Sequence, residues 1–281
     1  MARDIVLGVA LPAMLAFLLA WAAGRLWRVG LKRLYLPANV AFAGAFLAGF
    51  GALALSPWWP SERDYEWLPH LSILAGVAAV AARLTNVPYL RWSPIVLVPL
   101  VAAWLLVPDW PKLNSLAWHW RAGIGIAMIG TWLSLQLPAE QVGGPQFTLW
   151  LALINVAAAS LLFLTGSAKF AQLSMLSAAA FAGIFAAELA DRGAAFLPGV
   201  IPAFAVLHAG WLGTGMLRAD AEASKLPFVL MWMAPSCLGL MWLPWFRRTR
   251  WIGAVLSMGG AAVLAVVAIA LAWFAQPSET R

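Results

Sequence analysis

The chain has 281 residues, 63% of them hydrophobic and only 10% charged, with a mean hydropathy of +0.85. A soluble domain is about half apolar and about a quarter charged, so this composition excludes an ordinary soluble fold and implies an integral membrane protein. The net charge of +7 does not point to nucleic acid, because the 18 basic residues sit in separate short breaks between apolar runs instead of forming one stripe; the single cysteine, Cys237, excludes an intramolecular disulfide and leaves no cysteine cluster for zinc or an iron–sulfur centre.

A helix rises about 1.5 Å per residue through a hydrocarbon layer about 30 Å thick, so a crossing needs about 20 apolar residues. That ruler predicts an all-α polytopic membrane protein with about ten transmembrane helices. The spans fall at 5–24, 37–56, 69–83, 93–108, 117–137, 146–165, 170–189, 196–217, 227–246 and 251–274. They form one membrane-embedded domain, 1–275, followed by a short polar tail, 276–281.

Span one resembles a signal peptide in having Arg3 ahead of an apolar core and the small-x-small run Ala20-Trp21-Ala22. Its core is long, however, and Arg25, Arg28, Lys32 and Arg33 follow it, which resists export; an uncleaved first span fits better. Spans three and four are short, and Pro88, Pro94, Pro99 and Pro108 crowd the fourth.

From Phe147 to Ala187 the only charged residue is Lys169. As one helix this run would stretch about 60 Å, twice the hydrocarbon thickness, so it must fold back. Thr165, Gly166 and Ser167 supply turn chemistry beside Lys169. Either Lys169 marks a membrane surface, snorkelling along its own stem, or a re-entrant turn carries it inward to a polar cavity.

Loop cations favour the cytoplasmic side. The two densest clusters, Arg25/Arg28/Lys32/Arg33 after span one and Arg247/Arg248/Arg250 after span nine, are separated by an even number of spans and so share a side. Taking that side as cytoplasmic also places Arg83, Arg91 and Arg192 there and puts both termini outside; the acidic loop 61–67 and the loop 218–225 then face outward. The Ala, Leu and Trp bias suits a bacterial cytoplasmic (inner) membrane.

Ten spans divide into two sets of five, 1–140 and 146–275, and an odd number per half would invert one against the other. Pro69, Arg83 and Pro94 in the first set recur as Pro202, Arg218 and Pro227 in the second with the same proline interval, and "AFAGAF" (41–46) in span two is echoed by "AFAGIF" (180–185) in span seven. Inverted five-helix halves are a common transporter plan, with Pro or Gly interrupting corresponding helices near a midplane site. Pro99 and Pro235 are the expected helix breaks, because each removes a backbone donor and frees the carbonyl one turn earlier.

Polar side chains inside spans concentrate in the second half: Asn155 on span six, Gln172, Ser174 and Ser177 on span seven, His208 and Thr214 on span eight, Ser236 and Cys237 on span nine, with Thr131, Ser134 and Gln136 on span five. His208 is the sharpest signal. It is titratable near the centre of a span, which suits proton coupling, although one buried hydrogen bond to Asn155 or Ser236 would also account for it. His208, Asn155, Ser236 and Lys169 are therefore the candidate substrate-binding or proton-coupling residues. Glu188, Asp191 and Arg192 read as a surface charge cluster, as do Arg218, Asp220 and Glu222. His70 and His119, near Trp58, Trp59, Trp67, Trp110, Trp118 and Trp120, raise haem handling at the outer face, but an interfacial tryptophan belt explains those rings more simply.

No GxSxG, HExxH or phosphate loop is present, which argues against an enzyme. No cofactor and no metal site are expected. The sequence thus points to a secondary transporter or permease with a midplane polar site on the second-half helices, moving a small solute or ion across the lipid bilayer. The alternative is a structural or assembly subunit with membrane-protein partners.

Overall fold

A computed structural model describes residues 6–26, 36–53, 66–84, 87–107, 116–142, 144–190, 197–219, 224–242 and 250–276. Every element among them is helical. The ten α-helices are α1 (Leu11–Leu26, preceded by a π-helical turn Val6–Ala10), α2 (Leu36–Ala52), α3 (Trp67–Leu84), α4 (Pro88–Leu106), α5 (Ala117–Val142), α6 (Pro145–Leu164), α7 (Ala168–Ala190), α8 (Leu197–Arg218), α9 (Leu226–Leu238) and α10 (Arg250–Phe274). Five of them, α5, α6, α7, α8 and α10, are long and apolar enough to cross a membrane; the other five carry shorter apolar stretches. Arg28, Lys32, Arg33, Asp191, Arg192, Asp220, Glu222, Arg247 and Arg248 lie outside the described residues, as do Trp58, Trp59, Trp110, the acidic loop up to Tyr65 and the tail after Gln276.

The helices sit where the ten apolar runs were expected, and three boundaries move for local reasons. Helix α4 starts at Pro88 instead of 93, because proline at the first turn needs no amide partner and already has helical φ. Helix α5 runs past 137 to Val142 with Pro138 inside it. Helix α9 ends at Leu238 and tightens into a 3-10 turn, Gly239–Trp242, directly after Pro235. Helix α4, by contrast, continues as one helix with Pro94 and Pro99 inside it.

Helix α8 is the axis of the bundle. Ninety-four per cent of its span is buried, against 22% for α10 at the periphery, and it packs on α3 and α5 most extensively. Close approach is set by small residues. A Cβ on Gly183 of α7 would run into the Ala13 carbonyl and the Phe17 amide of α1, so only glycine lets those helices touch backbone to backbone. Outward faces are apolar: Trp92, Leu97, Leu100 and Trp104 on α4 and Val255, Val263, Val266 and Phe274 on α10 are exposed. Apolar surface on this scale is the surface of a membrane-embedded protein.

The connections alternate between two ends. Gln276 donates to the carbonyl of Leu164 at the end of α6 (3.0 Å), Arg218 at the end of α8 lies over Phe170 at the start of α7, and Lys225 before α9 lies over Trp120 at the start of α5. Arg121 adds two bonds to the Val107 carbonyl that ends α4. Gly8 meets Leu53 after α2 at the same end. Residues 8 and 276 thus share one end of the bundle with the helix ends that flank the even-numbered connections, and the helix ends that flank the odd-numbered ones lie at the other. The hairpin turn between α6 and α7 is made by Gly166, whose φ of 78° suits glycine.

The two sets of five helices are only partly interchangeable. Counterparts α2 and α7 meet, with the rings of Phe42 and Phe181 4.9 Å apart where the echoed "AFAG" segments cross, and counterparts α3 and α8 also pack together. But α1 packs along α7 while α6 has no comparable contact with α2, and α5 packs along α8 while α10 has none with α3, among the described residues.

Candidate functional site

The polar residues singled out in the second half do not converge. His208 is fully buried on α8, stacked on Phe204 (ring centroids 5.0 Å, 13° between planes) with Trp211 edge-on at 6.4 Å. Its Nε2 lies 3.3 Å from the carbonyl of Met231 on α9. Because a carbonyl only accepts, Nε2 carries the hydrogen. Met231 is the residue four before Pro235, so its carbonyl is the one that the proline leaves without a helical amide. His208 supplies the missing donor. Its Nδ1 and the Trp211 Nε1 are buried with no hydrogen-bond partner.

Asn155 belongs to a separate node between α6 and α7. Its Nδ2 donates to Ser177 Oγ (3.2 Å), Ser174 Oγ donates to the Asn155 carbonyl (2.7 Å), and its Oδ1 is buried without a partner. Ser236 pairs with Ser134 Oγ (3.3 Å) between α9 and α5. No hydrogen bond joins His208 to Asn155 or to Ser236. Lys169 is exposed one residue into α7, at the tip of the α6–α7 hairpin. Glu188 departs from its expected surface position: it is buried, and Thr148 Oγ1 in the first turns of α6 donates to its Oε2 (2.6 Å). His70 Nδ1 faces the Glu66 carbonyl (3.2 Å), His119 is exposed, and no three His, Cys, Asp or Glu side chains gather as a metal requires among the described residues.

A chamber of about 180 Å³ lies elsewhere, between α2, α3, α4, α5 and α8 at the end of the bundle opposite Gly8 and Gln276. Asn39, Ala79, Trp92, Ile95, Trp132, Leu137, Gln136, Glu140, Gly199 and Pro202 contribute to its wall. Asn39 is 8% exposed, and its Nδ2 has no acceptor. Its Oδ1 rests against Gly76 of α3, where a Cβ would come within 3.1 Å, so that glycine makes room for the amide. Asn39 also borders an apolar groove of about 370 Å³ on the outer side of α2 and α3.

Opposite Asn39, α5 presents Gln136 and Glu140 one turn apart on one face. Gln136 Nε2 donates to Glu140 Oε1 (2.8 Å) and reaches the Pro198 carbonyl (3.4 Å). Pro198 is four residues before Pro202, so this is a second proline-freed carbonyl met by a side chain from a neighbouring helix. The Ser134 carbonyl that Pro138 frees is instead approached closely by Gly239, where a Cβ would lie 2.6 Å away.

Sequence reasoning placed the polar cavity on the second-half helices, with Gln136 as an addition. Four of the chamber's five helices belong to the first half, and both Asn39 and Glu140 were missed. Their signals are present but small: one amide in an apolar run from Leu36 to Leu55, and a Gln-x-Pro-x-Glu spacing at the end of span five.

Helical architecture, outward apolar faces and mostly apolar cavities define a polytopic helical membrane protein. No family model, no curated protein and no solved structure matches the chain.

Proposed function

We propose that the chain crosses a cytoplasmic membrane ten times, with both termini outside, and works as a secondary transporter or permease whose solute site is the chamber between α2, α3, α4, α5 and α8. The observation that carries this reading is Asn39: an amide donor more than nine-tenths buried, unpartnered, and set in the wall of a cavity. An unsatisfied buried donor costs about 1–3 kcal/mol, and a bound solute that accepts its hydrogen bond removes that cost. Prolines at 94, 198 and 202 border the same space, which is where transporter helices typically depart from regular hydrogen bonding. With the cation-bearing odd connections inside, the chamber opens toward the cytoplasm.

His208 enters this reading as a clamp between α8 and α9, not as a proton carrier, because its one bond is to a backbone carbonyl that otherwise has no donor. The test is flux. Reconstituted into liposomes and offered a panel of labelled small solutes with and without a proton gradient, the protein should move at least one faster than an Asn39→Ala variant that folds equally well. Equal flux across the whole panel would remove the chamber from any transport role.

A further inference from the structure

Asn39 stands between two spaces. On one side is the chamber, and on the other is the groove of about 370 Å³ that α2 and α3 form on the outer surface. Among the described residues Asn39 alone borders both. Its Oδ1 lies against Gly76 of α3, where a Cβ would come within 3.1 Å, and its Nδ2 is the buried donor that nothing accepts. The groove opens toward lipid, because Val40, Ile73, Val77 and Leu84 along it are exposed. None of the described residues along it is charged, and the Ser72 hydroxyl already donates to the Pro69 carbonyl (2.7 Å). A molecule dissolved in the bilayer can therefore follow the groove as far as Asn39, and the hydrogen-bond donor that it meets there is that amide.

These walls select among lipid-phase molecules. Gly76 precedes Leu84, the last residue of α3, by about 12 Å of helix, so Asn39 sits within the hydrocarbon depth and below the level of phospholipid ester groups. A fatty acid would bring a carboxylate against a chamber wall that has no cation among its described residues. A sterol's fused rings exceed the chamber, whose volume of about 180 Å³ is close to the roughly 150 Å³ that holds one benzene ring. A plain hydrocarbon leaves the Nδ2 donor unanswered. What remains is a neutral one-ring head, with Trp92 and Trp132 in the wall around it, that carries an acceptor oxygen and an apolar tail. We infer that the chamber binds a quinone-type ring ketone drawn sideways from the bilayer, its carbonyl accepting from Asn39 Nδ2 and its tail lying in the α2–α3 groove. This rests on the chamber being the solute site, and adds an entry route from lipid.

The full chain in lipid nanodiscs, with protein-free nanodiscs as the reference for partition, tests it with three probes. Decyl-trimethylbenzoquinone has ring, carbonyls and tail; decyl-trimethylbenzene lacks the carbonyls; tetramethylbenzoquinone lacks the tail. The first should bind about tenfold more tightly than either of the others, which against the hydrocarbon is the worth of one buried hydrogen bond. Asn39→Leu should remove its advantage over the hydrocarbon. Ala43→Phe fills the groove without touching the chamber, and should weaken the tailed quinone while leaving tetramethylbenzoquinone unchanged. Val77→Phe, at an exposed position on the same groove, makes the same comparison without altering the interior of the bundle. Hydrocarbon and quinone binding equally well overturns the inference, as does an Asn39→Leu variant that binds the quinone like the parent. Two groove variants that fail to separate the tailed from the tailless quinone overturn it as well. Absence of quinone binding overturns it too, even where a water-soluble solute is carried through the chamber, a result that would leave the transport reading standing. Quinone binding in the stated pattern, with no solute moved in liposomes, would keep the ligand class and sink the transport reading instead.

Discussion

The core around His208 and the chamber around Asn39 hold the same kind of group, a buried polar side chain in an apolar bundle, and use it in opposite ways. His208 bonds to the Met231 carbonyl freed by Pro235 and lies packed between aromatic rings, so its polarity is consumed in holding α9 against α8. Asn39 keeps its amide hydrogens without a partner beside open space. A polar residue deep in a membrane bundle is therefore not by itself a functional mark. What distinguishes the two regions is whether the protein's own backbone uses the group.

The largest difference expected between the regions is chemical access. In a Cys237→Ala background, a cysteine at Ala79 in the chamber wall should react with a small thiol reagent at least about a hundredfold faster than one at the fully buried Ala205, beside His208, because the latter reacts only when the bundle opens. Similar rates would erase the distinction. A double-mutant cycle sharpens it next. His208→Phe keeps the stack on Phe204 but removes the donor, and should cost about 1–2 kcal/mol in reversible detergent unfolding. Pro235→Ala returns a backbone amide to the Met231 carbonyl. It should recover about 1 kcal/mol more in the His208→Phe background than in the wild type. Additive effects would mean that the 3.3 Å contact holds nothing together.

How far the sequence led follows from the same physics. Ten apolar runs were readable with a ruler set by bilayer thickness, and ten helices stand at those runs, five of them long and apolar enough to cross a membrane. Fold-back beside Lys169 was readable for the same reason, and Gly166 makes the turn. The rule that each proline frees a carbonyl was readable too. Its solution was not: that Met231 meets His208 on another helix, and Pro198 meets Gln136, depends on helix neighbours that loop composition does not encode. Glu188 misled for a related reason. Sequence sees its charged neighbours Asp191 and Arg192, whereas the fold buries it and sets Thr148 against it across the α6–α7 pair. Asn39 was invisible because one amide near the end of an apolar run looks like a boundary residue until α3, α4 and α8 close a chamber around it.

Smaller effects separate the node from the chamber. Asn155→Leu removes the bond to Ser177 but also buries away an unpartnered Oδ1, so the two changes oppose each other. A loss of about 0.6 kcal/mol, the usual worth of an interhelical hydrogen bond in a bilayer, is expected in the same unfolding titration. A loss several times larger would mean that this node is bound into more of the bundle than its two serine bonds indicate.

Asn39→Leu should produce the smallest change of all in stability, and its smallness is the point. Leucine has the same heavy-atom branching as asparagine, and replacing an amide whose Nδ2 has no partner removes a desolvation cost without breaking a bond made by that nitrogen. The variant should unfold within about 0.5 kcal/mol of the parent, or above it, as expected where a group is kept for function at the expense of stability. Solute binding in the chamber should fall at the same time. A variant that instead lost about 2 kcal/mol would show that Asn39 braces α2 against α3, and the contrast between a consumed polar group and a waiting one would no longer hold.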